Sequence, residues 1–141
     1  MFQVTLYTDG SCIGNPGPGG YAAVLSYNGR TKEITGSTNH TTNNRMELQA
    51  VIAGLQALKC RCQVTVVTDS QYVATILTNG RAKANLDLVQ QLRQLARQHD
   101  ITVQQVRGHS GHAMNERCDQ LATAIARQRL PNRGSVNQCA A

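Results

Sequence analysis

The chain is short and basic. Its 141 residues are 40% hydrophobic and 16% charged, which suits one domain with one core better than two domains. No window approaches the roughly 20 apolar residues of a membrane-spanning helix, and the N-terminus lacks a basic, apolar leader. We therefore expect a cytoplasmic protein with no membrane association. The net charge of +6 favours a polyanionic partner, although a merely soluble basic protein has the same balance.

The cysteines suggest a reducing environment. There are five of them, an odd number, and none shows the paired C-x-x-C spacing of a zinc site. We expect free thiols rather than disulfides or a cysteine-bound metal.

The first part of the chain predicts three antiparallel strands and a helix. The segment "FQVTLYT" alternates, with Val4 and Leu6 on one face. The segment "GYAAVLSYNGRTKEITGS" predicts two strands joined at Asn28-Gly29, a strong hairpin signal. Threonine capping candidates then open "TTNNRMELQAVIAGLQALK", which predicts a largely buried helix.

The second part alternates between strands and helices. The β-branched run "QVTVVTDS" is typical of a buried strand in a parallel region. A short helix is predicted at "SQYVATIL" and a longer one, capped by Asn85, at "NLDLVQQLRQLARQ". The fifth strand is "ITVQQV", and the last helix is "ERCDQLATAIARQ". The domain is expected to span residues 1–128, and residues 129–141 predict a flexible tail.

This order of elements predicts where two acids meet. It gives an α/β fold with a five-stranded mixed sheet, three antiparallel strands and then two parallel ones, and helices on both faces. If strand four lies beside strand one, their carboxyl ends form a switch point, with adjacent strands roughly 4.8 Å apart. Asp9 is expected to end strand one, where the glycine-rich "TDGSCIGNPGPGG" begins, and Asp69 to end strand four. Two carboxylates held so near to each other repel and destabilise the fold unless a cation lies between them.

Each acid taken alone also has a plainer interpretation. Asp9 could be an Asp-Gly turn residue, and Glu47 could be only a partner of a helix dipole. Asp119 could be an ordinary solvated charge. Their chemistry becomes specific only when they are considered together.

Four segments resemble the motifs of type 1 ribonuclease H, the bacterial ribonuclease HI kind. They are "YTDGSCIGNPGPGGYAAVL", "TTNNRMEL", "TDSQYV" and "GHSGHAMNERCDQLA", in the order of that family, and the match spans about residues 1–127. The resemblance implies a ribonuclease H-like sheet and hydrolysis of the RNA strand of an RNA·DNA hybrid. The family's four metal-binding acids fall on Asp9, Glu47, Asp69 and Asp119.

The implied chemistry agrees with these residue types. In-line cleavage of a phosphodiester needs an activated water and a stabilised leaving oxygen, and two divalent ions about 3.5–4 Å apart can serve both needs. Mg²⁺ takes such oxygen ligands, so we expect two Mg²⁺ ions, with Mn²⁺ as an alternative and Asp9 as the bridge. By the resemblance, His109 transfers a proton or aids product release. His112 is the competing histidine.

The resemblance also assigns residues that bind the hybrid. It implies that minor-groove contacts come from six residues and that two more hold a DNA phosphate. Short polar groups suit degenerate minor-groove contacts, although Thr42, Asn43 and Asn44 could instead cap a helix. The groove set is Cys12, Gly14, Asn15, Asn43, Asn44 and Gln71, and the phosphate pair is Thr42 and Asn85.

One departure from the family concerns affinity. Many bacterial members carry a helical protrusion rich in tryptophan and lysine, but here the corresponding stretch is "TNGRAKANLDL" and the chain has no tryptophan. Possible substitutes are Arg81, Lys83 and the arginines near the end of the chain, Arg127, Arg129 and Arg133, although exposed charges are often only solvated. A metal-dependent nuclease acting on DNA and a catalytically silent hybrid-binding module remain alternatives, and we expect a monomer.

Overall fold

The structure, a computed structural model, describes residues 1–107 and 113–129. The predicted tail lies almost entirely outside the described residues. No helix within those two ranges is long and apolar enough to cross a membrane. The strands are β1 (Phe2–Cys12), β2 (Gly17–Tyr27), β3 (Arg30–Thr41), β4 (Cys62–Thr68) and β5 (Asp100–Gln105), and the helices are α1 (Asn43–Gln56), α2 (Gln71–Leu77), α3 (Leu86–Ala96) and α4 (Ala113–Gln128).

The strands form one mixed sheet in the order β3-β2-β1-β4-β5. The pairs β1/β2 and β2/β3 are antiparallel, whereas β4 lies parallel to both β1 and β5. The β2–β3 hairpin turns at Asn28 and Gly29, whose φ angles of 49° and 75° suit a two-residue turn. The predicted sheet and hairpin are confirmed.

Helices cover both faces of the sheet, as the sequence predicts. On one face α1, α2 and α3 pack over Val4 and Leu6 of β1 in the larger core. On the other face Cys118 and Ala122 of α4 pack against the second face of β2. Side chains alternate between the two faces of a strand, so both faces of β1 and β2 lie beneath helices.

Strand β1 does not end at Asp9, and that expectation is wrong. The strand continues to Cys12, which pairs with Gly19, because the glycine-rich segment itself forms the start of β2 and supplies hydrogen-bond partners. The parallel pairing of β1 with β4 stops earlier, at Tyr7 and Val67. Asp9 therefore lies within a strand but just beyond the end of its parallel neighbour.

The helix caps follow the sequence at one predicted position and depart from it at another. Thr42 caps α1, with its Oγ1 accepting from the Arg45 N–H at 3.3 Å. Asn85 is the N-cap residue of α3, as predicted, and its carbonyl accepts from the Val89 N–H at 2.9 Å, but its side chain makes no capping bond. Its amide is held instead by side chains of α1 and α2. Residues 78–85, between α2 and α3, contain no helix, in agreement with a missing protrusion.

Candidate active site

Three carboxylates meet beyond the parallel ends of the central strands. Asp9, Glu47 and Asp69 each offer an oxygen, and these oxygens lie within 4.8 Å of one another. Asp9 comes from β1, Asp69 follows the last residue of β4, and Glu47 comes from the first half of α1. We call these three residues the acid cluster. The switch point thus gathers groups from the sheet and from a helix packed on it.

A glycine brings α1 close enough for Glu47 to join the cluster. A Cβ at Gly10 would lie 2.6 Å from the Glu47 nitrogen and 2.7 Å from the Met46 carbonyl carbon, which is too close for any side chain. The Gly10 N–H also donates to Asp9 Oδ1 at 2.9 Å. Gly10 therefore sets the distance between two acids and orients one of them.

The turn that carries Asp69 is fixed on both sides. The Ser70 N–H donates to Thr68 Oγ1 at 3.0 Å, and the Val106 N–H donates to the Thr68 carbonyl at 2.8 Å. Ser70 Oγ in turn accepts from the Val73 N–H at 3.1 Å and caps α2. These contacts hold the backbone on each side of the carboxylate.

The acid cluster is buried and strongly perturbed. Asp9 is 5% exposed and Glu47 is 4% exposed. Burial, and then the charge of Asp69, raises the pKa of Asp9 to about 7. Burial, followed by the charges of Asp9 and Asp69, raises the pKa of Glu47 to about 10. The shifts reflect first the cost of burying a charged carboxylate, to which the repulsion between the ionised acids adds.

The donor atoms of the cluster suit a hard divalent cation. All are carboxylate oxygens, the ligands that Mg²⁺ and Ca²⁺ prefer. Glu47 Oε2 is buried and has no hydrogen-bond partner among the described residues. A cation would satisfy this oxygen and relieve the repulsion, so the three residues form a possible metal-binding cluster.

Asp119 lies near the cluster without belonging to it. It is half-buried on α4, beside the buried Cys118, and it is not one of the three mutually close carboxylates. Its negative charge nevertheless contributes to raising the pKa of Asp9, so it lies within electrostatic range. The two histidines of the sequence prediction, His109 and His112, lie outside the described residues.

Several predicted groove residues lie together between β1 and α1. Asn15 Oδ1 accepts from the Asn43 N–H at 2.8 Å, which ties the segment after β1 to the start of α1. The Cys12 thiol donates to the Thr41 carbonyl at 3.2 Å, and Gly14 has a φ of 85° that favours glycine. Asn15, Asn43 and Asn44 are exposed.

Thr42 caps α1, and the other two predicted substrate residues lie on the α2 and α3 side. Gln71 opens α2 two residues after Asp69, is exposed, and accepts from Gln105 Nε2 at 3.1 Å. Asn85 precedes α3 and is held by Arg45 and Tyr72. The sequence alone assigned no role to Arg45 or Tyr72, although both lie within the quoted motif segments.

The fold and the acid cluster together indicate a class of protein. Buried carboxylates at the switch point of a mixed sheet have the ligand chemistry that suits a divalent cation, and exposed amides border them. The ribonuclease H family model matches residues 1–127, and the chain belongs to that family as a type 1 member. It is accordingly an enzyme, an endoribonuclease that acts on RNA·DNA hybrids.

Individual relatives agree with this assignment. The ribonuclease H of Tolumonas auensis is 50% identical, and the alignment covers 94% of this chain and 96% of the relative. The solved N-terminal ribonuclease H domain from Mycobacterium tuberculosis is 28% identical with a TM-score of 0.82 and full coverage of both chains. LC11-RNase H1, solved in complex with an RNA/DNA hybrid, shares the fold at 21% identity and a TM-score of 0.72, with 91% of this chain and 99% of that chain covered.

Proposed function

We propose that this chain hydrolyses the RNA strand of hybrids at the acid cluster, with Asp119 completing the ligand set for two Mg²⁺ ions. Mn²⁺ is the expected substitute. The observation that carries the proposal is the close approach of three carboxylates around the unpartnered Glu47 Oε2. When bound, divalent ions of this kind supply an activated water and stabilise the leaving oxygen.

Among the four acids, we assign the bridging position to Asp9. It lies within reach of all the others, since the charges of Asp69 and Asp119 raise its pKa and a hydrogen bond with Glu47 lowers it. Gly10 orients the Asp9 carboxylate through a backbone hydrogen bond to one of its oxygens. Glu47 and Asp69 then flank it, from α1 and from the turn after β4.

The proton chemistry is assigned to a histidine. We infer that His109 accepts or donates a proton near the scissile phosphate, or aids product release, because the family motif falls on it. His112 is the alternative. The pH dependence of each alanine variant separates them, since only the participating histidine contributes the typical factor of about 10² to 10⁴.

Recognition of the hybrid is assigned to the polar residues around the cluster. Exposed amides at Asn15, Asn43, Asn44 and Gln71 can contact 2′-hydroxyls and base edges without demanding one sequence. We infer that Cys12 and Gly14 complete this groove and that Thr42 and Asn85 hold a phosphate of the DNA strand. The hybrid bound to LC11-RNase H1 supports this class of partner. We further propose that the protein works as a monomer in the cytoplasm and that residues 1–128 form its catalytic domain.

A substrate panel tests the proposal. Labelled hybrid, single-stranded RNA, duplex RNA and duplex DNA are incubated with Mg²⁺, with Mn²⁺, and with chelator. We expect cleavage of the RNA strand of the hybrid only, lost with chelator and in Asp69→Asn, and retained in the control Asp100→Asn, whose acid pairs with Arg61. Cleavage of duplex DNA would favour the general nuclease, and binding without cleavage would favour the silent module.

A further inference from the structure

Arg45 connects the first turn of α1 to the start of α3. Its Nη2 donates to Asp87 Oδ2 at 2.8 Å and its Nη1 donates to Asp87 Oδ1 at 3.1 Å, a two-point contact. Nη1 also donates to Asn85 Oδ1 at 3.3 Å. A guanidinium group has donors only, so the group that faces it on the Asn85 amide must be the oxygen.

Tyr72 holds the other end of the same amide. Asn85 Nδ2 donates to Tyr72 Oη at 3.1 Å, and Tyr72 Oη donates to the Ala84 carbonyl at 3.5 Å. The second Nδ2 hydrogen makes no hydrogen bond within the residues that the structure describes. The amide is therefore fixed in orientation and keeps one donor for a ligand.

The Asn85 side chain does not cap α3. The residue has φ 56° and ψ 36°, a left-handed conformation that asparagine tolerates better than most side chains. Its side chain makes no capping bond to α3 and turns to α1 and α2 instead. The backbone conformation and these contacts turn the Asn85 amide toward α1 and α2, away from the backbone N–H groups of α3.

We propose that Arg45 is a positioning residue for hybrid binding: with Asp87 and Tyr72 it directs the free Nδ2 hydrogen of Asn85 toward a DNA phosphate. This inference rests on the proposed function, in which Asn85 holds that phosphate. Arg45 acts through Asn85 and does not contact the hybrid itself. Its charge is already matched by Asp87, so it contributes orientation rather than attraction of the polyanion.

Steady-state kinetics with Arg45→Met tests the role. We expect KM for a hybrid to rise about tenfold, the loss of one hydrogen bond to a charged group, with kcat nearly unchanged. The salt dependence of binding should keep its slope, because no phosphate contact of Arg45 is removed. A slope reduced by about one would mean that Arg45 itself contacts phosphate and would overturn the proposal. The matched control is Arg61→Met, which breaks the pair with Asp100 and should leave KM unchanged.

A double-mutant cycle identifies the route of the effect. Asn85→Ala alone should raise KM about as much as Arg45→Met, since both remove the same oriented donor. In the Asn85→Ala background, Arg45→Met should add nothing. If the two substitutions raised KM independently, so that their factors multiplied in the double variant, Arg45 would not act through Asn85. That result would overturn the proposal.

A measurement without substrate separates the positioning from the proposed function. The side-chain amide resonances of Asn85 in the free protein should shift and broaden in Arg45→Met but not in Arg61→Met. An unchanged amide overturns the positioning, and a disordered amide with unchanged KM overturns its role in binding. If the wild-type protein cleaved no hybrid, the proposed function would fail while the resonances still decided whether Arg45 orients Asn85.

Discussion

The two ends of strand β4 carry charged groups in opposite settings. At its start, Arg61 pairs with Asp100 at 2.8 Å, and the two side chains are 54% and 50% exposed. At its end, Asp69 joins Asp9 and Glu47, and the latter two are buried and form no ion pair within residues 1–107 and 113–129. Exposed pairs of the first kind typically contribute about 1 kcal/mol or less. Buried carboxylates without a counter-charge oppose folding, so their presence indicates function.

The largest expected effect comes from changing the acid cluster. Asp9→Asn should lower hybrid hydrolysis by about 10³-fold or more, because it removes a charge that holds the ions and several kcal/mol of transition-state stabilisation with it. The melting temperature of the metal-free protein should stay the same or rise, since repulsion is relieved. Asp100→Asn, at the other end of β4, should leave hydrolysis intact.

These two variants are compared by single-turnover cleavage and by thermal unfolding in chelator. Full hydrolysis by Asp9→Asn in Mg²⁺ would contradict the metal assignment. A large fall in its melting temperature would instead mean that the carboxylate stabilises the fold.

The next effect in size comes from the contact that brings Glu47 to the cluster. Gly10→Ala places a Cβ 2.6 Å from the Glu47 nitrogen, and overpacking of this kind typically costs about 1–3 kcal/mol. Moving α1 away also separates Glu47 from Asp9, so activity should fall with stability. Gly29→Ala is the comparison: its φ is 75° but nothing lies within 4 Å, so it should lose stability and keep kcat. Wild-type kcat in a folded Gly10→Ala protein would show that the spacing of the acids is not critical.

A smaller effect is expected in the way the stability of the metal-free protein changes with pH. The folded pKa of Asp9, about 7, lies above its ordinary value of 3.8, so the folded protein binds this proton more tightly than the unfolded chain. The associated stability is fully present below pH 3.8 and is lost as pH rises through 7. Between pH 5 and 8 the metal-free protein should therefore lose stability relative to Asp9→Asn, by about 1 kcal/mol or more.

Thermal unfolding across that pH range, with chelator and with excess Mg²⁺, measures this difference. Mg²⁺ should reduce the pH dependence, because it binds the ionised carboxylates and favours the folded state. Parallel curves for the two proteins in chelator would mean that Asp9 is not perturbed by burial.

The sequence predicts some contacts of the acid cluster better than others. The convergence of Asp9 and Asp69 follows from strand order, since β1 and β4 are parallel neighbours whose pairing stops two residues before each acid. The distance of Glu47 from them depends on Gly10 approaching α1, a contact that no local pattern contains. The continuation of β1 to Cys12 depends likewise on its partner strand, whereas an Asp-Gly pair considered alone favours a turn.

Asn85 is a second residue whose contacts the sequence alone does not predict. An asparagine before an amphipathic helix predicts that its side chain caps the helix, and the local sequence predicts no other contact for that side chain. Its amide is held by Arg45, far earlier in the chain, and by Tyr72 on another helix. Contacts between distant elements decide between two uses of one side chain, and they become visible only in the folded protein.

The smallest effect concerns cations that are exposed but unpaired. Arg81 and Lys83 lie between α2 and α3, where many relatives carry the basic protrusion, and among the described residues neither forms an ion pair. If they contact phosphates, the double variant Arg81→Gln/Lys83→Gln should raise KM a few-fold and flatten the salt dependence by about two, with kcat unchanged. The control, Arg30→Gln/Lys32→Gln, removes two exposed cations from β3. Kinetics at two salt concentrations distinguish the pairs. An equal, small change in both would mean that only net charge matters, and an unchanged KM would mean that the groove around Asn15, Asn43 and Gln71 holds the hybrid without them.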